Sequence, residues 1–255
     1  MTPAAPVTPA RLPTLLLLVC LMAFLAMPEA FSGLFAPLTR NGAAPIYTQA
    51  PLLFLTLNHL ALVAAGTLAA TIAAVGLAIA TTRLAGLSFL PLARAVANIG
   101  QTFPPVAVLA LTVPIFGFGP VPTLVALFLY GLLPIFETTL TGLTELAPEA
   151  REAATACGMT ETQRLMKVEL PLALPLILSG IRLSAVIALA TATIGSTVAA
   201  STLGEVIISG LLTGNTAFVL QGGLVVAALA ILLNEGFMLL EAIAARRAGR
   251  PSAKG

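Results

Sequence analysis

The chain has 255 residues, 58% of them hydrophobic and 9% charged, with a mean hydropathy of +1.05. Soluble domains carry roughly a quarter of their residues as charges, so this composition excludes a water-soluble globule and predicts an all-α integral membrane protein. The net charge of +2 is too small to suggest nucleic acid as a partner, and no Cys/His cluster suggests a metal.

Residues 1–10 carry no charge and read as a disordered lead. The first apolar run follows Arg11 and gives a transmembrane helix at 12–28. It reads as an uncleaved signal anchor, or as a signal peptide cut near Ala30. Residues up to 51 then form an outer loop. Five further spans are expected at about 54–82, 91–113, 121–141, 172–200 and 217–240. The third contains Arg94, Asn98, Gln101 and Pro104-Pro105, so a break is expected there, tolerable where the freed backbone faces protein or a water-filled cavity. The fifth ends in a run of small residues, ALATATIGSTVAAS, suited to close helix packing or to lining a pathway. Residues 202–216, with Glu205, form an outer segment, and residues 242–255 a basic cytoplasmic tail.

Charge placement sets the orientation. Arg40 is the basic residue expected outside; Arg11, Arg83, Arg94, Arg151, Arg164, Lys167 and the tail residues Arg246, Arg247, Arg250 and Lys254 fall at inner positions. The positive-inside rule then gives about six spans with both termini cytoplasmic, unless the first is cleaved. Cys20 and Cys157 fall in different compartments and are not expected to pair, and the lone His59 reads as a polar residue near a helix entrance.

The longest stretch a membrane could not hold lies between the fourth and fifth spans, within residues 145–171. Pro148 can open a helix, Glu149 and Glu152 suit its first turns, and Gly158 is the expected stop in a left-handed conformation. Thr160 and Gln163 have the spacing of a capping box, so a second short helix should start at once and end at Leu170-Pro171. Two short helices joined at a glycine would make a rigid cytoplasmic knuckle.

This stretch resembles a known element. Glu152-Ala153-Ala154, Gly158, Val168 and Leu170-Pro171 match the EAA loop of ABC importer permeases, E-A-A-x3-G-x9-I-x-L-P, with valine for the usual isoleucine. The likeness spans roughly residues 55–241 and is strongest to glycine betaine and quaternary-amine permeases. NIGQTFPPVAVLAL (Asn98–Leu111), GFGPVPTLVALFLYGLLPIFETT (Gly117–Thr139) and KVELPLALPLILSGIRLSAVIALATATI (Lys167–Ile194) carry it. Glu137 stands where an arginine is common, and residues 200–204 depart from the group's GAGGLG. The resemblance implies a type I permease of 52–241 working with a second permease subunit, a cytoplasmic ABC ATPase, an extracytoplasmic solute-binding protein and membrane lipid. It places Glu152, Ala153, Ala154, Gly158, Val168, Leu170 and Pro171 at the ATPase contact. No G-x4-G-K-[ST] loop occurs, so no cofactor is expected in this chain and ATP belongs to the partner. The implied cargo is glycine betaine, choline or a related compatible solute, and the location the bacterial inner membrane. Two alternatives remain: a permease for another small solute such as an amino acid, or an ion-coupled carrier. A carrier would need ionisable groups within the membrane; Glu137, Arg182 and Glu235 are the candidates, and none has an obvious partner in the sequence. An intramembrane enzyme built on Ser196 and His59 lacks any surrounding motif.

Overall fold

The structure, a computed structural model, describes residues 12–39, 42–83 and 85–249. Arg11, Arg40, Arg250 and Lys254, used above to orient the chain, lie outside them. The described residues are helical: α1 Leu12–Ala26, α2 Leu52–Thr82, α3 Leu90–Thr102, α4 Pro105–Phe116, α5 Pro120–Thr144, α6 Pro148–Ala156, α7 Glu161–Val198, α8 Gly204–Thr213 and α9 Thr216–Arg247. Four of these, α2, α5, α7 and α9, are long and apolar enough to cross a membrane. Two bent pairs raise the number to six if each is one span: α1 with the helical turns of Pro28–Leu38, bent by 112°, and α3 with α4.

Small residues bring the central helices together. α5 packs against both α2 and α7, and α9 against α7. At their junction a Cβ on Gly131 of α5 would stand 2.7 Å from Ser184 Oγ on α7 and 2.8 Å from Ala70 Cβ on α2, so only a hydrogen fits. Where lipid is as apolar as the side chains, this closeness supplies the van der Waals contact that holds helices together. His59 is fully buried within α2, and its Nε2 lies 3.0 Å from the Leu189 carbonyl of α7. Eight residues into α2, near its start as expected, it is a buried strut between two spans. Ser196 bonds the Thr202 hydroxyl at 2.7 Å, so the two engage separate partners and form no dyad. Large apolar side chains such as Leu57, Leu68, Ile72, Ile115 and Leu224 remain exposed, as a lipid-facing belt requires.

The expected break in the third span is sharp. α3 and α4 meet at 96° across Phe103-Pro104. Proline has no N–H and its ring excludes a continuous helix, and α5 takes up one carbonyl so freed and braces the bend. The Tyr130 hydroxyl donates to the Phe103 carbonyl, and Gln101 Nε2 donates to the Tyr130 carbonyl at 3.1 Å.

On the side expected to face outward, residues 42–51 fold over the start of α9. Gln221, fully buried, accepts from the Tyr47 amide at 3.1 Å and donates to the Pro45 carbonyl at 2.7 Å; Asn215 donates to the Ala44 carbonyl at 2.9 Å. The expected outer segment contains a helix of its own, α8, and the last helix runs on to Arg247, well past the expected end at 240.

Candidate functional site

The knuckle forms as its local signals dictate. Pro148 opens α6, and Gly158 closes it with φ +73°. The Met159 amide returns to the Ala154 carbonyl at 3.2 Å and the Gly158 amide to the Thr155 carbonyl at 2.9 Å. This paired closure of a helix end depends on a left-handed residue. The capping box is also complete: the Gln163 amide donates to Thr160 Oγ1 at 3.3 Å and the Thr160 amide to Gln163 Oε1 at 3.0 Å. Glu149, Glu152, Ala153, Gly158 and Glu161 are exposed on the outer surface of the knuckle, as is Pro171 at its base. Val168 and Leu170 are half-buried. Ala154 is turned inward, at 4% exposure, and so packs the knuckle onto its own chain instead of presenting itself.

The second helix of the knuckle does not stop at Leu170-Pro171, which corrects the expectation above. It continues as α7 through a π turn, Leu165–Glu169, in which the Leu170 amide reaches back to the Leu165 carbonyl. A proline inside an ordinary helix strikes the carbonyl four residues earlier; the widened turn takes up that conflict ahead of Pro171, and knuckle and span become one helix.

The same turn carries a buried acid that sequence spacing treats as a free position. Glu169 is 1% exposed. Arg83, just past α2, donates to its Oε2 at 2.6 Å. Arg164 Nε donates to Oε1 at 3.0 Å, and Arg151 Nε of α6 lies 3.7 Å from the same oxygen. Arg151 also donates to the Leu143 carbonyl at the end of α5, and Arg164 Nη1 to Thr155 Oγ1 at 3.5 Å. Three of the arginines assigned to the inner side, Arg83, Arg151 and Arg164, thus converge on one carboxylate.

Two more ion pairs correct the view that Glu137 and Arg182 are unpaired. Arg94 of α3 makes a two-pronged contact with Glu137 of α5, at 2.6 and 3.1 Å. Arg182 of α7 donates to Glu241 at 2.7 Å and to Asn234 Oδ1 at 3.0 Å, both on α9. The tyrosines, the side chains best suited to an organic cation after tryptophan, have structural duties. Tyr47 is buried edge-on to Phe218, with ring centroids 5.4 Å apart. Burial raises its phenol above the ordinary pKa, and the Glu205 carboxylate adds to that. Cys20 and Cys157 are both exposed and free.

Residues 89–250 match the family model described as the binding-protein-dependent transport system inner membrane component. The chain belongs to that family. It is a multi-pass inner-membrane transport subunit of an ABC importer, a class that works with an ATPase and a solute-binding protein. Among relatives of this permease, the osmoprotectant import permease protein OsmY of Salmonella typhimurium is 39% identical over 186 residues, 73% of this chain and 79% of that one. The glycine betaine/carnitine/choline transport system permease protein OpuCB of Bacillus subtilis is 35% identical over 188 residues, covering 72% and 83%. The fold is that of the permease in inward-facing structures of the MetNI methionine ABC transporter: the TM-score is 0.67 at 20% identity, covering 77% of this chain and 99% of that one.

Proposed function

We propose that this permease imports a quaternary-ammonium compatible solute, with its EAA knuckle docked on a cytoplasmic ABC ATPase and a second permease subunit completing the pathway. The observation that supports the docking is the knuckle itself: a capped, glycine-closed pair of helices with Glu149, Glu152 and Glu161 exposed on its surface. Helical and acidic, it suits a groove that offers basic groups or backbone amides. Glu152, Ala153 and Gly158 make the contact in this reading; Ala154, Val168, Leu170 and Pro171 shape and seat it. ATP is bound and hydrolysed by the partner, and this chain holds no cofactor. The knuckle and both termini face the cytoplasm.

The cargo follows from the relatives, whose names specify osmoprotectants, glycine betaine, carnitine and choline. With both tyrosines engaged in packing or hydrogen bonding, primary selection of the cation falls to the external binding protein. The test is uptake of radiolabelled glycine betaine, choline and carnitine at high osmolarity in cells that depend on this system. Uptake of at least one should disappear when the chain is deleted. A preference for methionine or another amino acid would remove the substrate class and leave the importer standing. Uptake that survives loss of the ATPase but collapses with the ion gradient would replace the importer by an ion-coupled carrier.

A further inference from the structure

The knuckle is continuous with α5 and α7, but it has no covalent or broad packing connection to α2. Among the described residues α2 packs on α1, α3, α5 and α7, and the helices of the knuckle do not spread across it. Val75 and Ile79 of α2 share one apolar cluster with Leu165 and Leu170 at the base of the knuckle, and the polar tie between them is Glu169. Its carboxylate takes Arg83 from the end of α2 on one oxygen, and Arg164 and Arg151 from the two arms of the knuckle on the other. Charge balance does not require this arrangement. Arg164 and Arg151 already supply two guanidiniums to one carboxylate, so the bond from Arg83 adds linkage and not neutrality.

The local backbone serves the same end. A π turn inserts a residue into the helical ladder and re-aims the side chains that follow, and such turns are frequent at functional positions. Here Glu169 closes the turn. An ordinary helix would present the acid on a different bearing. A charge-assisted pair shut away from water is short and directional, and 2.6 Å between Arg83 Nη2 and Glu169 Oε2 fits that description. Arg151 extends the tie to the end of α5 through the Leu143 carbonyl. One carboxylate thus gathers the inner ends of α2, α5 and α7 with both arms of the knuckle.

We propose that Glu169 is a positioning residue for transport: through Arg83 it makes the inner end of α2 follow the knuckle, so that movement of the docked loop reaches a span the loop is not attached to. This rests on the reading of the knuckle as the ATPase contact. Its distinctive consequence is a loss of coupling, with ATPase binding kept.

The experiment uses the whole importer, with its ATPase and binding protein, in proteoliposomes. Uptake of whichever of glycine betaine, choline or carnitine the unaltered complex transports is measured beside ATP hydrolysis in the same vesicles. Arg83→Gln is the primary variant, because it leaves Glu169 facing Arg164 and Arg151. It should retain the ATPase through purification and keep its hydrolysis, while solute moved per ATP falls about fivefold, the size of effect that coupling mutations produce. Glu169→Gln should lower that ratio at least as far, and Arg83→Lys, which preserves the charge, should restore much of it. An unchanged ratio in Arg83→Gln overturns the proposal, whether or not total uptake falls. So does a lowered ratio that Arg83→Lys leaves equally low. Failure of the underlying reading would look different and needs no variant: the unaltered permease would purify without an ATPase and transport without ATP.

Discussion

Substitutions at Gly158 separate the shape of the knuckle from its surface. The residue sits at φ +73°, and a Cβ built there meets nothing within 4 Å. An added side chain therefore meets backbone strain and no clash. For alanine the left-handed conformation costs about 1–2 kcal/mol, and for asparagine or aspartate less, because their short polar side chains bond locally. If strain is all that matters and every part of it is charged against docking, the loss in ATPase affinity is bounded at about five- to thirtyfold for Gly158→Ala, with Gly158→Asp milder. If Gly158 lies in the contact, the order reverses: Gly158→Asp sets a carboxylate at the negative end of the α6 dipole, which docking must also strip of water, and becomes the weakest. We expect the second order, with Gly158→Asn nearer to Gly158→Ala than to Gly158→Asp. Titrating purified ATPase against permease variants in nanodiscs reads the affinities directly. Gly158→Ala binding more weakly than Gly158→Asp would refute the docking argument and leave the glycine a purely geometric role.

Within the membrane, Arg182→Met leaves Glu241, with a side chain only 20% exposed, without its cation; the single change should cost about 3 kcal/mol, whereas Arg182→Met with Glu241→Leu should return close to the starting stability. Thermal unfolding of the detergent-solubilised chain decides it, and a double variant no more stable than the single would show that the pair is not a unit. Cys157 is exposed on the knuckle, so in a Cys20→Ala background a membrane-impermeant maleimide should label inverted vesicles and spare intact cells. Labelling of intact cells alone would invert the topology.

The elements legible in the sequence were those written in neighbouring residues. Pro148, Gly158 and the Thr160–Gln163 pair encode the knuckle within a few positions of one another, and Pro104-Pro105 encodes the break in the third span. What escaped depends on distant partners. Glu169 meets Arg83 across 86 positions, and Arg182 meets Glu241 across 59; no periodicity announces either. The continuation through Leu170-Pro171 escaped for a different reason. Proline argues for a stop, and only the wider turn before it lifts the steric conflict. Ala154 reads as a surface residue by motif, but a nine-residue helix lying on its own chain must bury one side, and position 154 is on it. The outer helix α8 is ten residues between glycines, too short for a span and too apolar to announce a loop.

The length of α7 has a mechanical consequence. Its 38 residues run unbroken from the capping box on the knuckle to Val198 near the outer turn, and at 1.5 Å per residue such a rod measures about 57 Å. A rod pivoting at its middle converts angle into distance: a tilt of about 10° carries each tip through about 5 Å, in opposite directions, roughly the rise of one helical turn. Bending concentrates at the π turn and at Pro175, and the Arg83–Glu169 bond splints the first of these from the side. On the proposed reading of the knuckle, α7 is a lever with one arm at the ATPase contact and the other at the far mouth of the pathway, able to open one side by the stroke that closes the other.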